Sequence, residues 1–335
     1  MSKFLKGLGI AVFVIVILAV VGISATIGWR PFIGPKKRAL TDRKFEATPE
    51  RLKRGAYLAE HVAGCTVCHT PQEEGPNGPE VVPSKKGSGQ IFPAAGLPGT
   101  LVAPNITPDP ETGIGNFTDD QLARAIREGI SHDGQTLFPM MPYAHYRRMS
   151  DEDLASVIIY IRSLPPLRNP LPRTDVHFPV KYLVRGVPEP VTETVQPDLS
   201  TPVHRGEYLV NLSVCSECHT PRKQGRPDST MKFGGGQLFD DSGKIVSSNI
   251  TPDVTGIGNY TEDIFVKAMR TGYVGKRQLS TVMPWQFYAG QTDEDLKAMY
   301  AYLRTLPPVS HRVDNTMPPT ACKKCRATHG AGDSN

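Results

Sequence analysis

The sequence predicts a mainly α-helical protein, with one N-terminal membrane-spanning helix and two similar halves, each built of a few helices and long loops. Three observations carry this reading. From about Glu50 to Val309 the chain repeats itself once, segment for segment, so one half can be read against the other. Its 31 Gly and 31 Pro favour long loops and little sheet. Residues Gly7 to Trp29 carry no charge and are mostly Ile, Val, Leu, Ala and Gly, enough to cross a bilayer as a helix. At 335 residues the chain also exceeds the usual size of a single core, which fits two units.

The apolar run defines an anchor over residues 1–30. A cleaved secretory signal is the alternative, but the run exceeds the usual length of a signal core, and the residues near Ser24 make a poor cleavage site. Lys3 and Lys6 precede the run, whereas Arg30, Lys36, Lys37, Arg38, Arg43 and Lys44 follow it, so charge counting alone would hold the body of the protein in the cytoplasm. The motifs described below oppose that orientation. Residues 31–47 then form a Pro- and Lys-rich tether without a sustained apolar period.

The first half is expected over 48–170 and the second over 200–312, joined by a Pro-rich linker over 171–199 that is long enough to pack across one of them. Arg54-Gly55-Ala56-Tyr57-Leu58 corresponds to Arg205-Gly206-Glu207-Tyr208-Leu209, each a short helix leading into the central motif of its half. Those motifs are Cys65-Thr66-Val67-Cys68-His69 and Cys215-Ser216-Glu217-Cys218-His219, each followed by Thr-Pro. Turn-rich loops follow, in which Asn105-Ile106-Thr107-Pro108-Asp109 matches Asn249-Ile250-Thr251-Pro252-Asp253. Thr118 and Thr261 are good N-caps with acidic residues after them, and Gly129 and Gly272 stand where a C-cap would end the helix. Met141-Pro142-Tyr143 and Met283-Pro284-Trp285 come next. The last helix of each half opens on Ser150-Asp151-Glu152-Asp153 or Thr292-Asp293-Glu294-Asp295, a capping-box pattern with Asp in the third helical position, and stops at Leu-Pro-Pro. Its apolar residues, Leu154, Val157, Ile158 and Ile161 against Leu296, Met299, Tyr300 and Leu303, keep helical spacing.

C-x-x-C-H is the attachment pattern of a c-type haem: the two thiols add to the porphyrin vinyl groups and the adjacent histidine coordinates iron. Thioredoxin-like dithiols and zinc half-sites share C-x-x-C, but neither requires the histidine twice in a repeated context. Two covalent haem c groups are therefore expected, on Cys65 and Cys68 with His69 as axial ligand, and on Cys215 and Cys218 with His219. For the sixth iron position the repeat is selective, because of the methionines only Met141 and Met283 are equivalent, and both lie on loops before proline where packing gives little reason for the match. Tyr143 and Trp285 are candidates for hydrogen bonds to haem propionates, with plain packing as the alternative. Arg54 and Arg205 are open between the same two roles. His145, four residues past Met141, is expected beside the haem or at the surface, and His61, His132, His177, His204 and His311 lack histidine counterparts.

With these segments in place, each half resembles a class I cytochrome c domain, and the tandem is similar to the cytochrome c subunits of membrane-bound bacterial dehydrogenases. Several of those subunits carry three such domains where this chain has two. The resemblance implies a dihaem electron carrier rather than an enzyme, tied to the bacterial cytoplasmic membrane with its haem domains on the periplasmic side, where covalent haem attachment is carried out. Its redox partners would be a dehydrogenase or quinol-oxidising complex on one side and a soluble cytochrome or terminal oxidase on the other. A dihaem peroxidase is the alternative, opposed by the two symmetric methionines and by the lack of an acid/base pair beside either motif. The net charge of +5 implies no nucleic-acid partner, since two haems would add roughly four carboxylates. In the tail, 313–335, Cys322-Lys323-Lys324-Cys325 lacks the following histidine, and a local disulfide is the leading expectation, ahead of a metal site with His329 that would be short of a ligand.

Overall fold

The computed structural model describes residues 3–75, 78–93, 96–223, 225–239 and 245–313, with the backbone of 320–321 and 328–329. The expected Cys322–Cys325 disulfide lies outside the described residues. Helix α1 (Lys3–Ala25) contains an 18-residue window of mean hydropathy 3.0, none of it buried against the rest of the chain. A one-turn helix α2 (Arg30–Ile33) follows, and the tether then lies along the first half. Arg38 enters between two buried carboxylates: it donates twice to Asp120, at 2.7 Å each, and from Nε to Glu128 at 2.7 Å. The backbone amides of Thr41 and Phe45 donate to Asp120 and Asp119. Burial works to raise the Asp120 carboxyl, but the bonds from Arg38 and Thr41 outweigh it and hold it below its ordinary value.

The first half runs through α3 (Pro49–Tyr57), a π-turn (Leu58–Val62), α4 (Cys65–Cys68), a hairpin of β1 (Gln72–Gly75) and β2 (Gly78–Val81), α5 (Asp119–Glu128), α6 (Tyr143–Tyr146) and α7 (Asp151–Arg162). Helix α8 (Val180–Leu183) lies in the linker. The second half repeats the order with α9 (Pro202–Leu212), α10 (Cys215–His219), α11 (Glu262–Thr271), α12 (Trp285–Tyr288) and α13 (Asp293–Leu303). The linker packs on the first half, pairing Asp175–Val176 with Gly99–Thr100 and accepting the Asp151 amide on the Val195 carbonyl. Helix α5 starts on Thr118 in a full capping box with Gln121, and both α5 and α11 end on left-handed glycines, Gly129 and Gly272.

In each half the first long helix crosses the last. The contact is made at Gly55 and Gly206, where a Cβ would lie 1.9 Å from the Ser156 carbonyl oxygen and 1.9 Å from that of Ala298. Only glycine lets the backbones approach so closely. Around the crossings Leu154, Val157, Ile158, Leu296 and Met299 are almost fully buried, each worth roughly 1.5–3 kcal/mol. Between Gly55 and Cys65 the first half holds one residue more than the second holds between Gly206 and Cys215. The π-turn absorbs it: a widened turn admits one extra residue while the helix on either side keeps its direction. Helix α9 lacks the insertion and stays α-helical.

The expected capping boxes of α7 and α13 do not close within their own helices. Ser150 and Thr292 do accept the amides of Asp153 and Asp295, but an Asp side chain is one methylene too short to reach back as Glu would. A tyrosine from the other half fills the gap. Tyr208 accepts the Ser150 amide at 3.0 Å and donates to Asp153 at 2.7 Å, while Tyr57 accepts the Thr292 amide at 3.2 Å and donates to Asp295 at 2.5 Å. Arg54 and Arg205 pair with the same two aspartates, at 2.8 Å and 2.6 Å. The two halves thus cap each other's last helices.

This exchange predicts an alkaline limit. Burial, followed by the bond to Asp295, pushes the Tyr57 hydroxyl from about 10 up to about 12, and Tyr208 moves in the same direction. A raised folded pKa means that the contribution is intact below the unfolded value and is lost as pH climbs through the folded one. The halves should therefore part between about pH 10 and pH 12, with tyrosinate absorption and small-angle scattering changing together. A scattering profile constant across that window would contradict the exchange.

Candidate functional site

Each C-x-x-C-H motif begins its helix from a left-handed residue, Gly64 in the first half and Val214 in the second. That conformation costs a β-branched residue roughly 1–2 kcal/mol, so tertiary contacts must hold Val214 there. Part of that hold is visible: Tyr288 donates to the Ser213 carbonyl at 2.8 Å, and its counterpart Tyr146 donates to that of Ala63. These tyrosines follow Met283 and Met141, so they tie each methionine loop to the entry of its own motif.

The histidines are oriented identically. His69 donates from Nδ1 to the Pro104 carbonyl at 2.7 Å, and His219 from Nδ1 to the Ser248 carbonyl at 2.7 Å. A carbonyl can only accept, so the proton must sit on Nδ1, which leaves the Nε2 lone pair for a metal. Burial pushes both imidazoles below their ordinary value, more than the carbonyl raises them, so they are neutral at pH 7. The two carbonyls are presented by the repeated Asn-x-Thr segments. Asn105 donates to Thr112 and to the Leu167 carbonyl while accepting the Thr107 amide, and Asn249 does the same with Thr255, Val309 and Thr251.

Cys65, Cys68, Cys215 and Cys218 form no disulfide with one another, and as thiols Cys65 and Cys215 would be pushed up to about 12 by burial. Met141 and Met283 are partly buried and pack against the same core as Cys65 and Cys215. Tyr143 and Trp285 sit against the αL glycines: a Cβ on Gly129 would meet the Tyr143 ring at 2.5 Å, and one on Gly272 the Trp285 ring at 2.3 Å. The Tyr143 hydroxyl and the Trp285 indole nitrogen are both buried without a protein partner. Buried polar groups of this kind are normally satisfied, so a matched pair of orphaned donors at equivalent positions of the two halves fits a group bearing acceptors, as haem propionates do. With two thiols, a histidine with a free Nε2 and a partly buried thioether in each half, the residue types present fit haem c.

His145 is not on offer as an iron ligand. Its Nε2 faces Glu217 at 2.9 Å and its Nδ1 faces the Asn211 side-chain oxygen at 3.2 Å, the Asn211 amide nitrogen being committed to the His145 carbonyl. Both ring nitrogens of His145 are thus engaged within the protein. Glu217 lies inside the second motif, so this bridge joins the methionine loop of one half to the haem motif of the other. His61 bonds the Phe287 carbonyl, His204 pairs with Asp198, and His132 stacks on Phe117. Sequence reasoning missed the Pro104 and Ser248 carbonyls because a backbone acceptor has no side-chain signature. The repeated asparagine after each was the available signal.

Comparison with known proteins bears on the same segments. Residues 52–165 match the family model described as Cytochrome c. The chain is 33% identical over 289 residues to the alcohol dehydrogenase (quinone) cytochrome c subunit of Gluconobacter oxydans, covering 79% of this chain and 56% of that protein. It is 30% identical, over 79% of its own length and 58% of the other, to the corresponding subunit of Gluconacetobacter polyoxogenes. A diheme cytochrome c-type protein of Cereibacter sphaeroides is 28% identical over 73% of this chain and 83% of its own length. The chain thus spans little more than half the length of the dehydrogenase subunits it matches.

Proposed function

Because this chain is a c-type cytochrome similar to the cytochrome c subunits of quinone-linked dehydrogenases, we propose that it is a membrane-anchored dihaem electron carrier. In this reading it consists of two class I cytochrome c domains, 48–170 and 200–312. The supporting observation is the duplicated donor set, in which each motif histidine is held by a backbone carbonyl with Nε2 left free. The name of the diheme relative points the same way.

Haem c, when bound, supplies a reversible one-electron iron couple. Cys65 and Cys68, or Cys215 and Cys218, would hold it covalently, and His69 with Met141, or His219 with Met283, would ligate its iron. The carbonyls of Pro104 and Ser248 keep each imidazole in one tautomer and one orientation. Tyr143 and Trp285 have buried donors without a protein partner, which the propionates of a bound haem would satisfy. The partners of this reading are a dehydrogenase or quinol-oxidising complex as donor and a soluble cytochrome or terminal oxidase as acceptor. Helix α1 is its anchor in the bacterial cytoplasmic membrane, with both domains on the periplasmic side. The peroxidase alternative gains no support, since the two halves offer the same donors and neither is specialised.

The ligand assignment is tested one methionine at a time. Met141→Ala should abolish about half of the near-infrared charge-transfer band of His/Met haem and lower one of two potentials, and Met283→Ala should act on the other. A full band in either variant would move the sixth ligand to another residue.

A further inference from the structure

We infer that the linker segment 177–187, together with 29–33, forms a plate that docks on the surface of the lipid bilayer beside α1. The inference rests on α1 being a retained membrane span. That helix ends at Ala25, so Trp29 is within about one turn of the bilayer boundary. The following turn, α2, is fixed to the linker rather than free. Arg185 donates to the Pro31 carbonyl at 3.3 Å, Gly186 faces the Arg30 Cβ, and Lys36 pairs with Glu189 at 2.9 Å. Two segments more than 140 residues apart in the chain thereby make one surface.

The composition of that surface points to lipid. Trp29, Phe32, Ile33, Phe178, Leu183 and Val187 are between 41% and 79% exposed, which leaves these apolar side chains of the two joined segments uncovered by the protein. Cations border them. Arg185 and Lys181 lie 4.7 Å and 5.6 Å from the Tyr182 ring centre, so one aromatic carries two positive charges that can reach outward to headgroups. Aromatic and aliphatic side chains rimmed by Lys and Arg, next to the end of a membrane span, are what an interfacial segment requires. The nearby Glu189 is already neutralised by Lys36, so the face presented to anionic headgroups is positive. With Arg38 also clamped to the first half, the plate would hold that half in one orientation on the membrane instead of letting it swing on a tether.

The test uses full-length, haem-loaded protein in bilayers containing phosphatidylglycerol whose acyl chain carries a photoreactive diazirine. Mass spectrometry should find lipid adducts on α1 and on peptides covering 177–187, and none around Val254, an exposed residue of the second half. Leu183→Glu with Val187→Glu should cut the adducts on 177–187 about tenfold while leaving those on α1 and the haem spectrum unchanged. Adducts confined to α1 would overturn the plate alone. So would crosslinks from 177–187 to a co-purified protein subunit in place of lipid. An intact mass lacking α1 would overturn the anchor reading and the plate with it.

Discussion

Replacing Cys215 and Cys218 by alanine should yield a protein lighter by one haem, with haem absorbance halved, and Cys65→Ala with Cys68→Ala should do the same from the other side. The reason is chemical rather than conformational. A thioether cannot form without the thiol, and only these two cysteine pairs are followed directly by a histidine. Intact mass after denaturation reads the count independently of folding, because noncovalent haem is lost in that step. Loading of each half is expected to be separate, since each has its own histidine, its own carbonyl partner and its own methionine loop. Retention of two covalent haems in the Cys215/Cys218 variant would put an attachment site elsewhere and sink the tandem reading.

The second large effect belongs to a residue with no side chain. Gly206→Ala should destabilise the loaded protein by about 3 kcal/mol, roughly 10 °C in Tm, because the new Cβ would meet a backbone carbonyl oxygen at 1.9 Å that cannot step aside as a flexible side chain would. Helices α9 and α13 would have to separate, opening the packing of Leu296 and Met299 that the crossing seals. Gly55→Ala should act alike through Ser156. Gly186→Ala is the control: its Cβ would find only Arg30 at 3.7 Å, an ordinary contact, and thermal unfolding should shift by less than about 2 °C. Equal melting of the Gly206 and Gly186 variants would mean that the helices do not cross where described.

Much of the helical architecture was legible because it is local. Thr118 and Gly129 bound a helix through bonds to residues within one turn, and Leu154, Val157, Ile158 and Ile161 declare a buried face by their spacing. The second half was legible by comparison with the first, which is how Met141 and Met283 stood out from the other methionines. What stayed hidden was whatever a distant segment supplies. Asp153 and Asp295 read as members of local capping boxes, yet the length of an Asp side chain leaves those boxes open and the other half closes them with Tyr208 and Tyr57.

By itself, the sequence determined the two C-x-x-C-H motifs on which the haem reading rests, since each is a pattern of five adjacent residues, and it determined that the chain opens on a long apolar helix. Tertiary structure alone decided which tautomer each histidine holds, because that depends on the carbonyls of Pro104 and Ser248, about thirty residues away and indifferent to side-chain identity. It also decided that the tether is clamped, since Arg38 finds Asp120 and Glu128 only when α5 has folded. Local patterns are written in residue types at fixed spacing. Contacts between distant segments are set by where the packed chain brings a donor to an acceptor, and a lone arginine, tyrosine or carbonyl carries no periodicity that announces its partner.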